Sequence, residues 1–134
     1  MTRPSLDQWL AEAKTDPAAA QCGMYLFHTG VVRATPKAKV RQGEQTDRTV
    51  RAVDFSYDEG KVAEAVKRAK AMPGIFYVRV WLNRGLLPVG DEIMLVLVGG
   101  DIRPRVIDAL QSLVGELKTS CVHEQEVYES ILHV

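Results

Sequence analysis

The sequence lacks several features that define common classes of protein. It has only two cysteines, Cys22 and Cys121, and they form neither a CxxC pair nor a Cys/His spacing typical of a zinc site. We therefore expect two reduced thiols, no disulfide framework and no metal site. No apolar run approaches the roughly 20 residues of a membrane span, and the start of the chain does not resemble a signal peptide. These absences predict a soluble, cytoplasmic protein with no membrane role.

Net charge is also absent, because 17 Lys and Arg residues balance 17 Asp and Glu residues in a chain of 134. A general polyanion binder normally carries a basic excess. Aromatic residues make up 7% of the chain and are too scattered for a nucleic-acid stacking platform. A nucleic-acid or anion-binding module is therefore the weakest hypothesis. The length predicts a single domain over residues 1–134 with a core of its own.

What the sequence does have is clear apolar periodicity. Alternating or continuous apolar runs predict strands over Cys22–Arg33, Val50–Tyr57, Ile75–Leu82, Ile93–Val98 and Ser120–Tyr128. Helical spacing predicts helices over Ser5–Lys14, over Gly60–Met72, and after Asp101 with a buried stripe of Val106, Ile107, Leu110, Leu113, Val114 and Leu117. Turn residues predict a connection over Asn83–Asp91. This order predicts an α+β fold with helices on a mostly antiparallel sheet.

A glycine pair, Gly99-Gly100, leads from a strand into the third helix. Glycines let the backbone approach a ligand, and a helix N-terminus attracts anions. Arg103 adds a planar donor fork that suits phosphate or carboxylate. The alternative is a plain turn before a capped helix, with Asp101 as the cap. Both interpretations stay open at this point.

Lys118 is the second candidate, just past the same helix. A lysine there commonly serves only the helix dipole, but a partly desolvated lysine can act as a nucleophile or proton carrier. Arg103 and Lys118 are 15 residues apart, or roughly 22 Å along a helix. One chain therefore cannot easily bring them to one pocket, and a shared site would require a second copy.

Residues Ala34–Asp47 show no apolar period and contain Pro36 and Gly43, which predicts a mobile loop. The surrounding stretch is basic, with Arg33, Lys37, Lys39, Arg41, Arg48 and Arg51. It is either a solvated loop or a flexible clamp for something anionic.

The chain resembles the large, catalytic subunit of molybdopterin synthase, the MoaE family, from about Gly23 to Glu126. Thr29-Gly30-Val31-Val32-Arg33 is similar to the family's F-x-G-x-V-R. The segment from Arg84 to Ile93 is similar to R-x-G-x-L-x-x-G-[DE]-x-[IV], and Leu117-Lys118-Thr119 to [LY]-L-K. The resemblance implies an α/β hammerhead-type fold and a homodimer within a heterotetramer.

The resemblance also implies a reaction and its partners. A small ubiquitin-like sulfur carrier would insert its Gly-Gly C-terminus as a thiocarboxylate, and sulfur would pass to a cyclic pyranopterin monophosphate. No cofactor is implied. Lys118 would be the catalytic lysine, and Arg33 and Arg103 would bind the anionic groups of the substrate.

Three departures from the family pattern support an alternative function. The family's histidine before the helix arginine is Ile102, and its second catalytic lysine falls on Gln125. The surrounding segment is acidic where the family is basic, with Glu124, Glu126 and Glu129. The chain is therefore either a sulfurtransferase with an altered site or a non-catalytic MoaE-like paralogue that binds a carrier or another protein tail.

Overall fold

The computed structural model describes residues 2–37, 43 and 48–129. Three α-helices lie in this part: α1 (Leu6–Ala13), α2 (Glu59–Lys70) and α3 (Arg103–Glu116). A short 3-10 helix spans Ala19–Gln21, and a π-helical turn spans Leu117–Cys121. The strands are β1 (Met24–Val31), β2 (Val50–Tyr57), β3 (Ile75–Leu82), β4 (Gly85–Pro88), β5 (Glu92–Gly100) and β6 (Val122–Tyr128). Most of the predicted Ala34–Asp47 loop lies outside the described residues.

The strands form two three-stranded antiparallel sheets, in the orders β1-β5-β3 and β4-β2-β6. This confirms the predicted combination of antiparallel strands and helices. The prediction for Asn83–Asp91 was wrong in one respect, because this connection contains β4, which pairs with β2. Gly85, with a φ of 106°, and Pro88 made the segment look like a turn. Its strand character comes from pairing with β2, a long-range contact that no local pattern reveals.

The central strand β5 is buried on both faces, as its continuous apolar run predicted. Met94, Val96 and Val98 belong to a large cluster that joins both sheets to α2 and α3. On the other face, Leu95 and Leu97 pack under α1. Full burial of each such side chain stabilises the fold by about 1.5–3 kcal/mol.

The helix α1 covers the outer face of the β1-β5-β3 sheet through Trp9 and Ala13. Ser5 is the N-cap of α1, because its hydroxyl accepts the backbone N–H of Gln8 at 3.2 Å. Arg79 of β3 lies 4.5 Å from the centroid of the Trp9 ring and forms an ion pair with Glu12. These contacts fix α1 to the sheet.

Just before α3, the backbone at Gly100 and Asp101 passes close to the backbone of Gly74. The N–H of Asp101 donates to the carbonyl of Gly74 at 2.9 Å, and a Cβ on Gly100 would lie 2.5 Å from that same oxygen. The expectation that Asp101 caps the helix was wrong, because the N-cap is Ile102. The Asp101 carboxylate instead accepts the N–H of Ile102 at 2.6 Å and pairs with Arg105 at 2.8 Å.

The buried stripe of α3 is narrower than predicted. Val106, Ala109 and Leu113 are buried, whereas Ile107 is 38% exposed. Ala109, which the predicted stripe did not include, is fully buried, and Val106 is the helix residue that lies over Gly100. The spacing of apolar residues alone could not predict that Ala109 would be more deeply buried than Ile107.

Candidate functional site

Two of the three predicted site residues line one small pocket. Its cavity of about 50 Å³ lies between the end of β1, the π-helical turn and β6. The charged residues of its lining are Arg33, Lys37, Lys118, Glu124 and Glu126, with Val31, Val32, Val53 and Ile93 as its apolar wall. The volume suits a few waters or a carboxylate-sized group and is far below the roughly 300–1,000 Å³ of a typical small-molecule site.

A register shift at the end of β1 brings the chain to the pocket. The pairing of β1 with β5 shifts by one residue between Gly30 and Val31, and a glycine inside a strand commonly marks such a bulge. A Cβ on Gly30 would lie 2.9 Å from Cγ of Met94, so the strands could not pass this closely with a larger residue. After the shift Val32 is buried, and Arg33 lies at the pocket mouth with its Nε donating to the carbonyl of Thr35 at 3.2 Å.

The π-helical turn positions Lys118. Leu117 and Cys121 are buried and anchor the two ends of the turn in the core. A π turn inserts an extra residue into a helix and changes the direction of the side chains that follow, and such turns are frequent at functional sites. Here the turn leaves Lys118 partly buried against the pocket.

An ion pair between two helices holds this end of α3. Glu116, the last residue of α3, accepts from Nε of Arg68 on α2 at 3.1 and 3.2 Å. These hydrogen bonds lower the pKa of Glu116 and raise that of Arg68. Glu64, one turn earlier on α2, also pairs with Arg68, at 3.9 Å. The pair sits directly before the turn that carries Lys118.

The strand β6 supplies the acidic side of the pocket. Its side chains alternate, so Glu124 and Glu126 face inward, opposite Phe55 and Val53 of β2. Gln125 lies on the other, exposed face, opposite Asp54. The residue that the resemblance equates with a second catalytic lysine therefore does not line the pocket that contains Lys118.

Basic residues from before and after residues 38–47 contact these carboxylates and their strand. Lys37 forms an ion pair with Glu124, and its backbone N–H donates to Glu126 at 3.0 Å. Tyr128 donates its hydroxyl to Glu126 at 3.0 Å, and the Arg48 guanidinium stacks on the Tyr128 ring at 4.3 Å. The basic and acidic stretches of the sequence thus meet at β6, where Lys37 pairs with Glu124.

The imidazole of His28, on β1, lies near Lys118 and takes the place of the phenylalanine in F-x-G-x-V-R. Its Nε2 is buried and has no hydrogen-bond partner among the described residues. Burial lowers the pKa of His28, and the nearby positive charge of Lys118 lowers it further. His28 therefore favours its neutral form and responds to the charge of Lys118.

We expect His28 to make folding stability depend on pH. Because its pKa is lower in the folded than in the unfolded chain, its contribution is complete above about 6.5, the ordinary histidine pKa, and declines as the pH falls below that value. The decline is at most about 1.4 kcal/mol per pH unit. His28→Phe should remove this part of the slope in urea unfolding between pH 7.5 and 5.5. The control His123→Phe, at an exposed site on β6, should retain it; an unchanged slope in His28→Phe would contradict the assignment.

Arg103 lies at the opposite end of α3, where it is exposed. The whole length of α3 separates it from Lys118, as the helix length predicted. The described residues around it include Asp101 and Arg105, already joined as an ion pair. The glycines before it serve the close backbone approach to Gly74.

The structure also bears on metal binding, on the two cysteines and on membrane spans. In the described part of the chain no three His, Cys, Asp or Glu residues gather where they could hold a metal ion. Both cysteines are free thiols, and burial raises the pKa of Cys121, which disfavours the reactive thiolate. Among residues 2–37, 43 and 48–129, no helix is long and apolar enough to cross a membrane.

Comparison with known families identifies the chain's relatives. The family profile described as MoaE protein matches residues 2–120. The chain belongs to the MoaE family. The match includes Arg33, Arg103 and Lys118 and stops before β6, which carries Glu124, Gln125 and Glu126.

Solved structures agree with the MoaE fold. A molybdopterin synthase from Staphylococcus aureus superposes with a TM-score of 0.72 at 16% identity, over 96% of this chain and 89% of that one. A MoaE protein from Burkholderia ambifaria gives 0.68 at 17% identity, over 95% and 85%. A complex of subunits 1 and 2 of the molybdopterin-converting factor from Helicobacter pylori gives 0.63 at 15%, over 96% and 82%. No curated protein matches the sequence significantly.

Sequence reasoning missed part of the pocket of this MoaE-family chain. The sequence showed Lys37 only as one of several basic residues. It showed Glu124 and Glu126 only as part of an acidic segment, with no sign of what they would contact. The signal that could have found them is the period-two alternation of β6, which puts both carboxylates on one face and Gln125 on the other.

Proposed function

We propose that this MoaE-family chain is the large subunit of a molybdopterin synthase and acts in molybdenum cofactor biosynthesis. It transfers sulfur from a small thiocarboxylated carrier to cyclic pyranopterin monophosphate. One observation carries the proposal: Arg33 and Lys118, which lie far apart in the sequence, line the same pocket. Their family motifs lie within the matched residues.

The pocket can receive the end of an extended chain. Its volume of about 50 Å³ admits a terminal carboxylate or thiocarboxylate but not a fused-ring pterin. The Lys118 ammonium holds the anionic carrier end and stabilises negative charge on its carbonyl oxygen as the sulfur leaves. Each transfer leaves the carrier with an oxygen, taken from water, where the sulfur had been. Arg33 at the mouth suits an anionic group of the pterin.

The partners follow from the same geometry. Arg103 is too far along α3 to join Lys118 within one chain, so a second copy supplies it in a homodimer. A carrier subunit at each end completes a heterotetramer. The Helicobacter pylori structure, a complex of subunits 1 and 2, supports a carrier partner for this fold. The assembly is proposed to be cytoplasmic.

The direct test is to mix the purified chain with a thiocarboxylated carrier and cyclic pyranopterin monophosphate. Molybdopterin should form with repeated turnover of added thiocarboxylated carrier. The matched control is the carrier with an ordinary carboxylate end, which has no sulfur to give. Failure to form molybdopterin above background, at high protein concentration, would refute the catalytic role.

A second candidate is a non-catalytic paralogue that binds a carrier or another protein tail. The observation that favours it is the inward orientation of Glu124 and Glu126 beside Lys118, while Gln125 lies on the opposite face. Carboxylates near an anionic substrate oppose its approach. Carrier capture without molybdopterin formation would establish this binding role, whereas turnover would exclude it.

A further inference from the structure

The π-helical turn that carries Lys118 is held at both ends by α2. At its start, the Glu116 carboxylate accepts from Nε of Arg68 at 3.1 and 3.2 Å and also from Nη2 of the same guanidinium. At its end, the carbonyl of Cys121 accepts the backbone N–H of Asp58, the N-cap of α2, at 2.9 Å. One helix therefore fixes the beginning and the end of the turn.

An open cleft lies between the outer side of α2 and the turn. Its volume is about 440 Å³, and its lining includes Lys61 and Glu64 from α2 and Ser120 from the turn. Arg68 and Glu116 line the cleft from its two sides. Their ion pair therefore bridges α2 and the turn at a place where the two elements are not packed solidly together.

The geometry and place of this pair give it more effect than an ordinary surface pair. Exposed ion pairs usually contribute little, and the Arg68 side chain is 59% exposed. Here, however, two nitrogens of one guanidinium bind one carboxylate, which fixes the angle as well as the distance. Glu116 also ends α3, and helix ends fray readily. Because Lys118 lies only two residues further on, fraying at Glu116 would displace it.

We propose that Arg68 and Glu116 are positioning residues that hold Lys118 at its pocket from the other side of the turn. The inference deepens the proposed function and rests on it for the role of Lys118. Neither residue belongs to the described lining of the Lys118 pocket, so both act through the turn. They lie 48 residues apart in the sequence and outside the motifs that identified Arg33 and Lys118.

The imidazole of His28 reports the position of Lys118. Burial lowers the pKa of His28 most, and the charge of Lys118 lowers it further. The pKa should therefore rise if Lys118 moves away. NMR titration of the full chain measures this pKa without substrate or carrier. A variant that is only less stable keeps the pKa of its folded form, so the measurement separates positioning from a general loss of stability.

The deciding comparison uses Arg68→Gln and Glu116→Gln, which remove charges of opposite sign. Loss of positioning should raise the pKa of His28 in both variants, by part of the rise expected for Lys118→Ala. A direct effect of the removed charges would instead raise it in Arg68→Gln and lower it in Glu116→Gln. The control Lys67→Gln, which removes an exposed neighbouring charge from the same turn of α2, should leave it unchanged.

Turnover provides a second measurement. Both variants should lower kcat about 10-fold, because a misplacement of about 1 Å can cost about 100-fold and Lys118 still occupies its correct place for part of the time. The double variant should be no slower than either single one, since each substitution breaks the same contact. Arg68→Lys, which keeps the charge but loses the planar fork, should lose less than Arg68→Gln.

Several outcomes would overturn the inference. An unchanged pKa of His28 in both variants, shifts of opposite sign, or rate losses that multiply in the double variant would each do so. If Arg68→Gln or Glu116→Gln does not fold, Arg68→Lys still separates the two explanations, because it weakens the contact without removing a charge.

The two measurements also separate this inference from the proposed function. Because the titration needs no turnover, a chain that forms no molybdopterin would refute the catalytic role and still test the position of Lys118. Conversely, an active synthase in which the pKa of His28 does not respond to loss of the ion pair would refute this inference alone.

Discussion

Lys118→Ala should reduce molybdopterin formation by at least about 100-fold in the reconstituted reaction. A positioned group that transfers protons or stabilises developing charge contributes on the order of 10²–10⁴ in rate. Lys118 also cannot be replaced by its neighbours, because Lys37 is held by Glu124 and Arg33 lies at the mouth. The rate is measured as molybdopterin formed per minute at saturating carrier.

The matched control is Lys70→Ala, which removes another lysine from the end of a helix, on the exposed side of α2. It should leave the rate unchanged. The pKa of His28, followed by NMR, provides an independent check on folding. In Lys118→Ala it should rise, because the charge of Lys118 lowers it, but it should stay below the ordinary value because His28 remains buried. An active Lys118→Ala with this shift would remove Lys118 from the mechanism.

Gly100→Ala should lower the free energy of unfolding by about 3 kcal/mol, the upper part of the usual range for overpacking. The new Cβ would lie 2.5 Å from the Gly74 carbonyl oxygen and 2.8 Å from Cγ2 of Val106. Relief requires moving the backbone of one strand connection, including the hydrogen bond from Asp101 to Gly74. Urea unfolding measures the loss as a lower midpoint at unchanged slope.

The control for this substitution is Gly115→Ala, inside α3, where a Cβ would meet nothing within 4 Å. It should stabilise the protein by about 0.5–1 kcal/mol, because alanine is the better helix former. The two changes add the same methyl group with opposite expected signs. If Gly100→Ala instead left stability intact and weakened anion binding, the glycine pair would belong to a ligand site after all.

The elements with strong local patterns could be predicted from the sequence. The bounds of β2 and β3 agree with the predicted Val50–Tyr57 and Ile75–Leu82, since each has its own apolar pattern and is followed by a clear break. The strand β4 could not be predicted, because its identity depends on pairing with β2. The exposure of Ile107 depends on which face α3 turns toward the core, and that choice is equally non-local.

The candidate site was predictable only in part. The motifs around Arg33 and Lys118 identified both residues, but nothing local indicated that they line one pocket. The π-helical turn was not predicted, and it sets the direction of Lys118. The assignment of Gln125 rested on counting residues from Lys118, whereas position in the pocket depends on the face of β6 to which each residue points.

Because β6 lies at the edge of its sheet, the charges that it carries beside Lys118 can change without disturbing the fold. β6 pairs with β2 at one edge of its sheet, and in the described structure the fully buried core comes from other elements such as Phe55 of β2 and Leu117 of the π-helical turn. Substitutions at Glu124 or Glu126 can therefore change the charge of the pocket lining while the core is left intact. The charges beside Lys118 and the stability of the fold can therefore be changed separately.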